Sequence, residues 1–153
     1  MNVSISQLEK VIDTIARRCP RGISALLGEA PMPSHDELVT AATWRPATEL
    51  CGGIPKGGGG DKVAKLCEKV IELTTPLESV GWAKLVKATQ EIKELYPLPW
   101  AVYRMHVIHV GEDSWRDGGG GIRRIADKCG VSVATVTRWR HLVPRRIAKT
   151  ALN

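Results

Sequence analysis

The stretch Ile122–His141 reads IRRIADKCGVSVATVTRWRH. Its residue types suit two short helices joined by a tight turn. Ala126 stands where two helices cross most closely and only a small side chain fits. Gly130 stands where the chain leaves the first helix through a positive φ, which only glycine adopts cheaply. Ser132 stands as N-cap of the second helix, accepting from the free amides ahead of it. Ile125, Cys129, Val131, Val136 and Trp139 fall on the inner faces and are expected to bury the pair against a third helix. The outward positions of the second helix, Thr137, Arg138, Arg140 and His141, include no acid, and a hairpin buried in a core explains that choice poorly.

Charge is distributed accordingly. The 153 residues carry a net charge of +6. From Arg116 to the C-terminus nine Lys or Arg face two Asp, and the preceding residues sum to −1. The positive excess therefore lies in the last quarter of the chain, as expected of a module that replaces counterions on a phosphate backbone. Arg can bridge O6 and N7 of guanine, and Thr or Ala can meet a thymine methyl.

The twenty-residue pattern is that of a helix-turn-helix, and IADKCGVSVATVTRW resembles the helix-turn-helix superfamily of bacterial and bacteriophage DNA-binding proteins. Phage repressors and activators, site-specific recombinases and the promoter-reading fourth region of sigma factors share such units. The resemblance covers these residues closely and Trp100–Leu152 loosely, and is compatible with a phage or mobile-element origin. It implies that Val133–Arg140 is a recognition helix in the major groove, with Ser132, Ala134, Thr135, Thr137, Arg138 and His141 nearest the DNA. Arg123, Arg124, Val133, Arg140, Arg145 and Arg146 complete the expected DNA-binding set. Arg138 is expected to read a base, whereas Arg145, Arg146 and Lys149, placed beyond Pro144 and so beyond the helix, suit phosphates or solvent. Trp139 is expected in the core, because a duplex offers an indole no free base face.

Upstream, hydrophobic spacing predicts further helices. Ser6 with Glu9 forms a candidate capping box ahead of Leu8, Val11, Ile12, Ile15 and Ala16, and Ser34 with Glu37 forms a second ahead of Leu38, Val39, Ala41 and Ala42. Trp44-Arg45-Pro46 ends that helix, and Cys51–Gly60 has the glycine density of a flexible connection. Asp61 is a candidate N-cap for a helix that Pro76 would end. Ser79–Tyr96 follows as its antiparallel neighbour, closed by Pro97. From Pro99 to Val110 a helix is favoured over a strand. Gly111–Gly121 is a second glycine-rich loop, and neither glycine run has the GxxxxGK spacing of a phosphate-binding loop.

The expected architecture is all-α: residues 1–96 as a helical dimerisation or partner-binding region, and residues 97–153 as a helix-turn-helix DNA-binding region. No apolar run approaches the roughly 18 residues that span a bilayer, and the N-terminus lacks the pattern of a secretory signal. A cytoplasmic location without membrane partners is expected. Cys19, Cys51, Cys67 and Cys129 lack paired spacing, so buried thiols are expected rather than a metal site. Asp36, Glu37, Asp61, Glu112 and Asp113 offer no set of three with the spacing of a nuclease, and neither catalysis nor a cofactor is expected. The function expected is a sequence-specific regulator of transcription that binds double-stranded DNA as a homodimer. The alternatives are a protein-binding inhibitor or adaptor of a host enzyme such as RNA polymerase, and the DNA-targeting part of a recombinase.

Overall fold

A computed structural model describes residues 2–44, 59–110 and 120–153. Among them the chain is all-helical. Helix α1 spans Ile5–Arg18, α2 Gly22–Leu26, α3 His35–Thr43, α4 Gly59–Val80, α5 Trp82–Leu95, α6 Pro97–Val110, α7 Gly120–Cys129 and α8 Val133–Leu152.

Helix α1 opens on a capping box, two residues earlier than Ser6 and Glu9 would place it. The Ser4 N–H donates to Gln7 Oε1 at 2.9 Å and the Gln7 N–H donates to Ser4 Oγ at 3.1 Å. A Gln at the third helical position serves as well as a Glu. The Ser34–Glu37 box forms as expected, with reciprocal bonds of 3.1 and 3.2 Å. Behind its cap, α1 buries Leu8, Val11, Ile12, Ile15 and Ala16. Gly22, at the start of α2, lies so close to α1 that an added Cβ would stand 2.0 Å from the Ile15 carbonyl oxygen. Any side chain there would push the two helices apart.

Two prolines behave unlike the expectation. Pro76 lies inside α4, which continues to Val80, and Pro144 lies inside α8, which continues to Leu152. Each removes one backbone N–H from its helix, a local cost of about 3 kcal/mol in an exposed helix. Both rings are buried, so packing offsets part of that cost. Pro97 does not merely close α5 but starts α6, where its missing N–H would have been unpaired anyway. The expected antiparallel hairpin also differs in its packing. Helix α4 rests mainly on α3 and α1, while α5 rests mainly on α8, and the two meet only sparsely beyond their junction at Gly81.

Helix α8 is the strut of the molecule, in contact with α1, α5, α6 and α7. At 20 residues it is roughly 30 Å long. Its second half contributes Val143, Ile147, Ala148 and Ala151 to the larger core, which also holds Leu8, Ile12, Leu26, Leu73, Leu85 and Tyr103. Its first half contributes Val136 to a smaller cluster with Val102 of α6 and Ile125 and Ala126 of α7. Helix α8 thus belongs to both clusters, as does α6 through Val102 on one side and Trp100, Tyr103 and Val107 on the other. Among the described residues, no helix is long and apolar enough to cross a membrane.

The cysteines differ in setting. Cys19 is buried, and burial, reinforced by Glu37, pushes its thiol up to about 11. Cys129 is half-buried with its Sγ 3.7 Å from Met105 Sδ, and Cys67 is exposed, contrary to expectation. Cys51, Glu112, Asp113, Gly57–Gly58 and most of the second glycine-rich loop lie outside the described residues.

Candidate nucleic-acid interface

The α7–α8 unit is built by its turn. Helix α7 ends in a Schellman arrangement: the Val131 N–H donates to the Ala126 carbonyl at 3.0 Å and the Gly130 N–H to the Asp127 carbonyl at 3.4 Å. Gly130 adopts φ +68°, the left-handed conformation that this closure requires. Ser132 then caps α8, its Oγ accepting from the Thr135 N–H at 3.1 Å and lying 2.8 Å from the Thr135 hydroxyl. Ile125 and Val136 are fully buried behind the turn, with Ile122, Met105, Cys129, Val131 and Trp139 packed around them. Ala126 is buried in the same cluster, at 4% exposure. Helix α6 is the third helix against which the pair rests.

With this face buried, Ser132, Val133, Ala134, Thr137, Arg138 and His141 are exposed. At 100° per residue Ala134, Thr137, Arg138 and His141 fall within about 100° of one another on the α8 surface. The Thr137 hydroxyl donates back to the Val133 carbonyl at 3.1 Å, leaving its lone pairs free to accept and its methyl free to pack. Arg138 lies in no ion pair with any described residue. Arg140 is half-buried, and its Nε donates to His141 Nε2 at 3.3 Å. Thr135 is half-buried, its hydroxyl occupied by the cap. On α7, Arg123 and Arg124 are both exposed.

The expectation that Arg145 and Arg146 lie beyond the helix is corrected. Both belong to α8, which passes through Pro144. Arg145 is exposed and shares a face with Arg138, while the Arg146 guanidinium stands over the Tyr96 ring at 5.8 Å, turned toward α5 and α6. Lys149, exposed in the last turn of α8, extends the same basic ridge. Arg138, Arg145 and Lys149 fall within about 40° of one another around the axis. Sequence spacing already contained this ridge, but reading Pro144 as a terminator hid it.

Between α1 and α6 lies a polar network that the sequence did not announce. The Tyr103 hydroxyl on α6 donates to Asp13 Oδ1 on α1 at 3.1 Å, and Asp13 Oδ2 pairs with Arg17 Nε at 2.8 Å. Burial, reinforced by Asp13, holds the Tyr103 phenol well above its ordinary range. One turn along α6, His106 is 4% exposed and its Nε2 lacks a hydrogen-bond partner among the described residues. Burial, aided by the Arg17 and Arg140 cations, pushes its pKa down to about 4, so it is neutral at pH 7. Among the described residues, no three His, Cys, Asp or Glu side chains gather as metal ligands. No protein-family model, curated protein or solved structure matches the chain.

Proposed function

We propose that the chain is a non-enzymatic, sequence-specific regulator of transcription that binds double-stranded DNA and acts as a homodimer. In this reading α7 and α8 form a helix-turn-helix, and the first half of α8 enters the major groove. The observation that carries it is the exposed surface of α8. Ala134, Thr137, Arg138 and His141 stand together there, without an acid, on a helix whose opposite side is anchored by Val136. Short side chains near the N-terminus allow close approach to base edges, and Arg138, one turn on, supplies the reach and the paired donors that guanine recognition needs. Arg123, Arg124, Arg145 and Lys149 then suit phosphates on either side of the groove. Homodimerisation follows from economy of contact, since one such helix touches few bases and a two-fold pair doubles the site.

The test is selection of duplexes from a random pool by the purified full-length chain, followed by sequencing and sedimentation of the complex. A shared motif with two related half-sites, bound by two chains, supports the proposal. A random selected pool overturns it. Retention of a host protein such as RNA polymerase after nuclease treatment, without any enriched motif, favours the adaptor reading instead.

A further inference from the structure

Away from α8, a cavity of about 950 Å³ opens between α1, α3 and α4. Trp44, Val11, Ile71 and Pro76 give it apolar walls, while Lys10, Arg18 and Lys69 bring three cations to it against one acid, Glu72. Trp44 and Ile71 line it while remaining 51% and 59% exposed, so both present apolar surface to whatever enters. Arg18 is held rather than free: its Nη1 donates to the Ala41 carbonyl at 3.2 Å and its guanidinium stands 4.9 Å from the Trp44 ring centroid. No described carboxylate pairs with Lys10, Arg18 or Lys69.

We infer that this cavity binds a small aromatic carboxylate, and, resting on the regulator reading, that such a ligand is the effector of DNA binding. The volume is within the range of small-molecule sites, which combine apolar walls with a few oriented polar groups. An indole with an open flank and an adjacent isoleucine suit a flat hydrocarbon body. The oriented Arg18 fork suits a carboxylate, which it can hold through two parallel N–H bonds, with Lys10 and Lys69 adding favourable charge. Helix α1 connects this site to the interface. It carries Lys10, Val11 and Arg18 to the cavity, and Asp13 and Arg17 to the Tyr103 network, while packing along α8. A ligand that shifts α1 would therefore disturb the helix proposed to read DNA.

The experiment titrates the full chain, without DNA, with 8-anilinonaphthalene-1-sulfonate, an aryl anion, and with the uncharged N-phenyl-1-naphthylamine, each followed by fluorescence. Saturation at one site, displacement of the anion by 2-naphthoate, and a rise in melting temperature with 2-naphthoate are expected. The Arg18→Gln, Lys69→Gln double variant should lose about tenfold in affinity for the anionic probe and little for the neutral one. Trp44→Ala should weaken both. If the double variant melts abnormally early, Lys69→Gln alone, on an exposed helical surface, provides the same comparison with a smaller loss. Non-saturable binding, an unchanged melting temperature, or affinity indifferent to all these variants overturns the site. DNA binding is measured separately by anisotropy with and without 2-naphthoate: a ligand that binds the chain but leaves DNA affinity unchanged overturns the effector role, and a chain that binds ligand but no duplex overturns the regulator reading while the site stands.

Discussion

Arg138 and Arg145 stand on one continuous helix, seven residues and roughly 10 Å apart along its axis, on nearly the same face. Between them α8 changes its surroundings. Around Arg138 the buried side is the small cluster of Val136, Ile125 and Val102, whereas around Arg145 it is the main core, through Val143, Ile147 and Ala148. If the first half of α8 lies in a groove, as proposed, Arg145 on the second half falls toward the sugar-phosphate rim. In the proposed function one helix thus carries Arg138 to read a base and Arg145 to meet a phosphate. Arg145→Ala should weaken binding to selected and scrambled duplex alike and shallow the salt dependence by about one counterion. Salt titrations on both duplexes check this. A loss confined to the selected duplex would contradict it.

The sharing of α8 has a consequence for domain independence. A fragment of residues 97–153 keeps the small cluster, and Trp100, Tyr103 and Val107 of the main core, but loses α1 and α5, which pack along α8 in the full chain. That fragment should be largely unfolded or aggregated, while the full chain should melt in one transition. Circular dichroism of the two decides. A cooperatively melting fragment would show that α6, α7 and α8 suffice without α1 and α5.

Gly130 provides a test of the turn. Its Cβ position has nothing within 4 Å, so Gly130→Ala meets no steric obstacle from neighbouring atoms. The cost is the left-handed backbone alone, about 1–2 kcal/mol. Urea denaturation should find a loss of that size with an unchanged m-value. A neutral substitution would mean that the turn is not held at φ +68° in solution.

Asp13 and Tyr103 should respond unequally to deletion. Tyr103→Phe removes one hydrogen bond but leaves Asp13 paired with Arg17, costing about 1 kcal/mol. Asp13→Ala leaves the Tyr103 hydroxyl buried without its acceptor and Arg17 without its partner, and should cost about 1–3 kcal/mol. Denaturation of the two variants gives the order. Equal losses would argue against an acceptor role for Asp13.

His106 makes stability depend on pH in a stated direction. Its folded pKa of about 4 lies below the ordinary 6.5, so the folded state favours the neutral ring. The unfolded chain then binds the extra proton as pH falls, and stability should decline from about pH 6.5 down to about pH 4. His106→Leu keeps the volume similar and removes the proton site. Its stability should decline less over that interval, as measured by urea denaturation at stepped pH. Parallel curves for the two proteins would contradict the assignment.

Local physics made much of the fold legible. The α1 and α3 faces followed from hydrophobic spacing, the Ser34 box from its two residues, and the conformations of Gly130 and Ser132 from what a tight turn requires. Other features depended on distant surroundings. Pro76 and Pro144 look like helix ends in any short window, and only burial against other helices lets α4 and α8 pass through them. The start of α1 at Ser4 was hidden because Ser6 and Glu9 offer an equally good box two residues later. Asp13 and Tyr103 lie 90 positions apart, so neither local charge nor periodicity could pair them. His106 stood in a mixed run whose periodicity did not reveal which side faces the core. In the candidate site, the exposed α8 residues were legible from their spacing, but the continuation of the ridge to Arg145 and Lys149 required the unbroken helix.

In the proposed function, α8 reads base sequence through Arg138. The most direct measurement compares wild type and Arg138→Ala on a duplex chosen by selection and on its scrambled counterpart, by anisotropy at matched salt. The variant should lose about 1–3 kcal/mol on the selected duplex and much less on the scrambled one, so that specificity falls. Equal losses on both duplexes, or no preference of wild type for the selected one, would contradict base reading by α8.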